Sequence, residues 1–370
     1  MPELYAGLMS GTSMDGIDAA LVEFDGSHIR LIASHSHSIP TDLKTKLSLL
    51  SLNSEAATID MLGEADAELG DLFSEAINKL LSNAGIQASQ VTGIGSHGQT
   101  IRHRPDIPHR FTMQIGDANK ISYRTGITTV ADFRRKDMAA DGEGAPLAPA
   151  FHQQVFHSES ENRAVLNIGG ISNLTHLPKD KSQSCFGFDC GPGNILMDAW
   201  IQRHQQQAFD KNGEWAASAS ADKELVSQLM NDAFIQQLPP KSTGKEHYHL
   251  DWLKQQGNIK ELNAAQVQAS LCKFTCDSIV YAIENHMPEL NRLIVCGGGA
   301  HNAHLMLLLK NRLPEIIIES SEKHGIHPDW VEAIAFAWLA KKTLNKQSGN
   351  LPAVTGASKT VILGSIYPAN

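Results

Sequence analysis

One device is built twice in this chain. Residues 5–24, YAGLMSGTSMDGIDAALVEF, run an apolar strand into a turn of glycines, hydroxyls and acids, then into an alternating strand. Residues 164–177, AVLNIGGISNLTHL, repeat that outline. Alternating apolar and polar positions specify a half-buried strand, and so short a turn makes its two strands antiparallel neighbours. A hairpin met twice implies two lobes of related architecture. Length points the same way, because 370 residues exceed the roughly 250 to 300 that one hydrophobic core organises.

The intervening pattern is mixed α and β. After the strands 4–9, 17–24 and 28–33, apolar residues at three- and four-residue spacing predict a helix over 58–84, closed by Gly85. A strand over 91–95 is expected to deliver SHGQT (96–100) to a loop, and ITTVA (127–131) to deliver DFRRKD (132–137). The stretch DGEGAPLAP (141–149) reads as a crossing between lobes. Further on, FGFDCGPGNILMDAW (186–200) places an acid and glycines before a helix, and LIVCGGGAHN (293–302) is strand, triple glycine and helix. The strand 315–320 and the helix 329–344 follow. The lobes are expected at 1–140 with 345–370, and at 141–344.

Composition excludes several classes. With 42% hydrophobic and 19% charged residues and no long apolar window, the chain reads as globular, with no membrane partner. No basic, apolar leader opens it, so a cytoplasmic location is expected. A formal charge of −9 disfavours nucleic-acid binding, which needs a basic surface. The five cysteines (Cys185, Cys190, Cys272, Cys276 and Cys296) have no metal-knuckle spacing and are expected as free thiols. His35 with His37, and His247 with His249, lack a third ligand nearby in sequence and read as solvated histidines.

Four glycine turns, at 11–16, 168–170, 191–193 and 297–299, follow apolar strands. Such turns let backbone N–H groups approach an anion that a Cβ would hold away, and hydroxyls add donors. Each alone is also an ordinary hairpin or helix junction; four together suggest one nucleotide gripped from both lobes. The P-loop signature is absent, since Gly244-Lys245 is followed by Glu246, and no GxGxxG sits in a βαβ unit.

The combined motifs resemble one family. MSGTSMDGID (9–18), SHGQT, DFRRKD, LNIGGISN (166–173), FDCGPGN (188–194), KSTGKE (241–246), VCGGGAHN (295–302), EAIAFAWLA (332–340) and VTGASKTVILG (354–364) resemble the anhydro-N-acetylmuramic acid kinases, in order along essentially the whole chain. The resemblance implies an α/β, two-lobed actin/Hsp70/sugar kinase-like (ribonuclease H-like) fold with an ATP cleft between the lobes, and a homodimer. It implies that Gly11, Thr12, Ser13, Met14, Asp15, Gly16, Ile17 and Asp18 form the first phosphate hairpin. Asp15 and Asp18 would hold Mg²⁺. Gly169, Gly170, Asn173, Gly191 and Gly193 would belong to the second phosphate turn, and Gly297, Gly298 and Gly299 to the adenosine side.

Read from the residues alone, Asp189 is either a general base or a turn-forming Asp, and Glu332 either a reactive acid or a first-turn helix acid. The resemblance assigns catalysis to Asp189, with Glu332 as a second acid. The implied substrate, 1,6-anhydro-N-acetylmuramic acid, has an ether O6. Water would open the bridge at the anomeric carbon while O6 takes the γ-phosphoryl group of ATP, giving N-acetylmuramate 6-phosphate and ADP in cell-wall recycling. Arg134, with Arg135 second, is expected to meet the lactyl carboxylate, and His97 and Gln99 the sugar hydroxyls. A kinase of another amino sugar and a nucleotide-gated binder like actin or Hsp70 are the alternatives.

Overall fold

The computed structural model describes residues 2–11, 14, 16–26, 28–52, 56–257 and 259–369. Thr12, Ser13 and Asp15, expected as nucleotide and metal ligands, lie outside the described residues. The strands are β1 (Glu3–Ser10), β2 (Gly16–Asp25), β3 (His28–Ser38), β4 (Val91–Arg104), β5 (Phe111–Ile115), β6 (Thr129–Ala131), β7 (Arg163–Ile168), β8 (Ile171–Leu177), β9 (Phe186–Pro192), β10 (Arg292–Cys296), β11 (Ile317–Ser320) and β12 (Ser365–Tyr367).

The chain divides into two compact units, Met1–Val155 with Trp330–Asn370, and Phe156–Asp329. Their sheets share an order. The first unit runs β12-β6-β4-β1-β2-β3, with β5 on β4; the second runs β11-β10-β7-β8-β9. In each, an antiparallel three-strand meander (β1-β2-β3, β7-β8-β9) continues through its first strand into two parallel strands (β4 and β6, β10 and β11). The hairpin echo in the sequence is thus a repeated sheet, in the ribonuclease H-like order. The central strands β7 and β10 read RAVLNI and RLIVC, and consecutive residues that point to opposite faces are buried in both.

The unit boundaries differ from the sequence expectation of 140/141 and 344/345. The first unit also takes residues 141–155 and residues 330–344, the latter carrying the helix Val331–Leu344, which packs on β1, β2 and β4. Two glycines permit the approach. A Cβ on Gly7 would stand 1.8 Å from Ala333 O, and one on Gly95 would stand 1.9 Å from Phe336 O. No side chain fits that seam.

The helix Ile59–Ala84 forms as expected, with Thr58 accepting from Met61 N and Gly85 left-handed at φ 67. Its face Leu69, Phe73, Ile77, Leu80 fills the first core. A helix at Thr41–Ser51 was not anticipated; Leu43, Leu47 and Leu50, one helical face in a polar stretch, are buried there. In the second unit the helix Ala264–His286, opened by an Asn263/Gln266 capping box, packs on β9. All five cysteines are free and buried. No helix among the described residues is long and apolar enough to cross a membrane.

Candidate active site

In the second unit, a polar row crosses the meander. The register pairs Asn167 with Asn173 and Asn173 with Asp189, so an amide, an amide and a carboxylate stand side by side on one face. Residue 191 pairs with Ser172 and residue 189 with Asn173, so Cys190 is an extra residue on β9. This bulge re-aims Asp189.

Asp189 is held from the 241–246 segment. Its N–H donates to Lys241 O (3.1 Å), and its Oδ2 accepts from Thr243 N (2.9 Å). Oδ1 has no donor among the described residues. Burial raises the Asp189 pKa to about 6; the Thr243 N–H and Lys241 oppose the rise and Glu246 adds to it. A carboxylate that titrates just below neutrality and is mostly ionised there, with one oxygen anchored and one open, suits proton abstraction.

Beside this row three backbone segments meet. Gly193 N and Asn194 N donate to Gly170 O and Gly169 O (both 2.8 Å), and Asn194 Nδ2 reaches Ile168 O at 3.2 Å. Gly297, at φ 78, lies so close to β7 that a Cβ would meet Asn167 Oδ1 at 2.3 Å. Gly191, Gly193 and Gly299 are also hemmed in, by Ile235, Gly169 O and Ile168 respectively. Gly169, Gly170 and Gly298 are different. No chain atom comes nearer than 3.7 Å to a Cβ built on them, and none has a positive φ. Neither packing nor conformation requires glycine there, which leaves open backbone for a bound group to approach.

In the first unit, β4 does not stop at residue 95. It continues through SHGQT to Arg104, correcting the expected loop. Leu8 pairs with Ser96 and Ser10 with Gln99, so β4 carries one extra residue, with Gly98 at φ 74. The bulge aims His97 at Arg134. Arg134 donates from Nε (3.2 Å) and Nη2 (2.9 Å) to His97 Nε2, and from Nη1 to Gly144 O (2.9 Å). His97 also packs on Phe336, with ring centroids 4.7 Å apart. Burial, then Arg134, depress the His97 pKa to about 3, so the ring is neutral. Ser10 Oγ donates to Gln99 Oε1 at 2.7 Å, joining the first hairpin to the same strand.

DFRRKD is the start of a short helix, Phe133–Met138, entered from Asp132 in the left-handed region. That geometry separates its arginines. Arg134 is buried beside Glu332 and Asp137, whose charges oppose the fall of its pKa caused by burial. Arg135 is 58% exposed, next to Asp132 (3.5 Å). Glu332, at the start of the 331–344 helix, has its pKa raised by burial; Arg134 opposes this and Asp18 adds to it. Asp18 Oδ1 accepts from Ser36 Oγ at 2.7 Å. Met14 N donates to Gly11 O (3.1 Å), closing the hairpin, and the Ile17 side chain lies in the core. His97, Gln99, Arg134, Glu332 and Asp18 are thus gathered in one unit, and Asp189 with the other glycine turns in the second.

A sequence profile of anhydro-N-acetylmuramic acid kinase matches residues 3–369. The chain belongs to the anhydro-N-acetylmuramic acid kinase family. The anhydro-N-acetylmuramic acid kinase of Coxiella burnetii (strain Dugway 5J108-111) is 50% identical over 99% of this chain and 97% of that protein. That of Xylella fastidiosa (strain Temecula1) is 49% identical over 99% of this chain and 96% of its own length. Among solved structures, a ROK family glucokinase from Streptomyces griseus in complex with glucose and AMPPNP is similar at 13% identity, over 92% of this chain and 99% of that one, with a TM-score of 0.40.

Two features of this family member escaped the sequence reading. Asn167 heads the polar row, and its signal was a lone amide in the apolar strand AVLNI. KSTGKE served only to identify the family, although its backbone holds Asp189. His247 and His249 are structural: one bonds Asp232 and the other caps the helix Leu250–Gln255. Among the described residues no group of three His, Cys, Asp or Glu side chains is gathered as a metal site.

Proposed function

We propose that this enzyme uses ATP and water to convert 1,6-anhydro-N-acetylmuramic acid into N-acetylmuramate 6-phosphate and ADP, a step that returns cell-wall sugar to metabolism. The observation that carries the chemistry is Asp189, anchored through Oδ2 to Thr243 N at 2.9 Å with Oδ1 open. The substrate class comes from the relatives' names.

Asp189 takes a proton from water as its oxygen bonds to the anomeric carbon. The bond from that carbon to O6 breaks, and O6 takes the γ-phosphoryl group as ADP leaves. A carboxylate standing back far enough to admit water is the inverting glycosidase arrangement. Asn173 borders the base on the row, with Asn167 beyond it, and both suit the substrate side, while the open backbone at Gly169, Gly170 and Gly298 suits phosphate and nucleotide. Arg134 keeps one N–H on each terminal nitrogen without an acceptor among the described residues, enough for a two-donor contact with the lactyl carboxylate. Neutral His97 and Gln99 suit hydroxyls. Arg135, exposed beside Asp132, suits this role less.

Magnesium, when bound, neutralises charge on the phosphate oxygens. One or two carboxylates plus substrate phosphates are its usual ligands, and Asp18, whose charge is felt by Glu332, fits that donor set. Family membership also leads us to read the enzyme as a cytoplasmic homodimer; sedimentation at twice the chain mass would bear out the dimer.

The deciding experiment supplies Mg-ATP and the anhydro sugar in ¹⁸O-water. One ¹⁸O at the anomeric carbon of a 6-phosphate is expected, and Asp189→Asn should abolish it while ATP still binds. ADP release without anomeric ¹⁸O would mean that a free hydroxyl is the acceptor, and no sugar-dependent ADP would remove the substrate assignment.

A further inference from the structure

The segment 241–248 is fastened at both ends of a one-turn helix, Ala233–Gln236. At its C-terminal side, Lys241 Nζ donates to Phe234 O and Ile235 O, both at 2.9 Å, and lies 4.7 Å from the Phe234 ring centroid. Phe234 O also accepts from Gln237 N (3.2 Å), and the ammonium adds a second donor to it, supplies one to Ile235 O and meets the negative end of the helix. At the N-terminal side, Asp232 caps Phe234 N (2.9 Å) and accepts from His247 Nε2 (3.0 Å) and Tyr248 OH (3.3 Å). Between the two fastenings lie the contacts that reach the base: Lys241 O accepting from Asp189 N, and Thr243 N donating to Asp189 Oδ2.

We infer that Lys241 is a positioning residue for the reaction: by pegging the 241–243 backbone to the helix 233–236, it keeps the Thr243 amide on Asp189 Oδ2 and leaves Oδ1 to face the water. This rests on the reading of Asp189 as the base. Lys241 makes no side-chain hydrogen bond to Asp189, so its effect runs through backbone and field. A carboxylate that loses an N–H donor and a nearby cation becomes harder to ionise. The other titratable or charged groups near this pair are Glu246, Cys190, Asp232 and His286. None of them replaces the peg.

The test compares pH profiles of kcat/KM for the full chain, Lys241→Met and Lys241→Arg, with Asp189→Asn alongside. The wild-type profile should rise through an acidic limb near pH 6, where Asp189 titrates. Lys241→Met should move that limb up by about one pH unit, with most activity recovered at high pH. Lys241→Arg, which restores the donors, should return the limb towards its original place. A uniform loss at every pH, or an unmoved limb, overturns the inference while leaving the base assignment standing, provided Asp189→Asn is inactive. An active Asp189→Asn overturns both. Should Lys241→Met be too weak to assay, an infrared titration of the Asp189 carboxyl band, taken as the difference from Asp189→Asn in each background, reads the same shift without turnover. No shift there overturns the inference too.

Discussion

Arg134 spends two of its five N–H groups on a single acceptor, His97 Nε2, at 3.2 and 2.9 Å. The pairing fixes the plane of the guanidinium from behind and fixes the histidine as a neutral acceptor. An ammonium can supply the charge but neither the plane nor a fixed pair of parallel donors. Arg134→Lys should therefore raise KM for the muramyl substrate by tenfold or more, roughly 1.4 kcal/mol, with KM for ATP nearly unchanged. Equal loss for both substrates would assign Arg134 to the fold instead.

Two buried histidines of the first unit make its stability depend on pH. Burial lowers His97 and His152 to a pKa of about 3, against 6.5 in an unfolded chain. Between these values the unfolded chain holds more protons than the folded one, so stability is full above about pH 6.5 and falls as pH falls. Each ring contributes a slope of up to about 1.4 kcal/mol per pH unit. Urea midpoints measured at pH 7.5 and pH 5 should differ, and His152→Leu should flatten the difference. Coincident midpoints would place these rings in a wetter setting.

Cross-strand neighbours give a direct handle on the base. Asn173 lies opposite Asp189 in the register, so Asn173→Asp sets a like charge beside it. The acidic limb of kcat/KM should move up by about one pH unit, because ionising the second carboxylate becomes harder. Asn173→Ala should leave the limb in place and lower activity only modestly.

Glycines of two kinds should respond in opposite ways. Gly170→Ala adds a methyl with nothing closer than 3.8 Å, so stability should change by no more than about 0.5 kcal/mol while KM for ATP rises at least tenfold. Gly95→Ala drives the methyl to 1.9 Å from Phe336 O and should cost more than about 3 kcal/mol. Melting curves and nucleotide titrations on the two variants separate the cases.

The sequence was legible where chemistry depends on residue type and local spacing. Residue type and spacing single out Asp189, Arg134 and the glycine turns as candidates, but they leave Asp189 open between a base and a turn-forming acid, and only the family resemblance favours the base. Register was not legible. Nothing in SHGQT says that the strand continues, since polar side chains inside a sheet are stable only when partners such as Ser10 and Arg134 arrive from elsewhere in the chain. The extra residue at Cys190 is equally silent, because a bulge is a relation between two strands. The grip of Thr243 on Asp189 is a backbone contact, and any residue but proline would offer the same N–H. The boundary expected at 344/345 falls instead before the 331–344 helix, because Gly7 and Gly95 become a seam only when that helix lies over them.

That seam orders events during synthesis. The first sheet takes β1 to β6 from the opening of the chain but its covering helix and β12 from residues 331–367, so its inner surface stays bare while the whole of the second unit is made. Domains fold as units as they emerge from the ribosome. Here the unit encoded in the middle can close first, while the sheet begun earliest waits, exposed to chaperones and to mispairing, for the last of these segments to arrive.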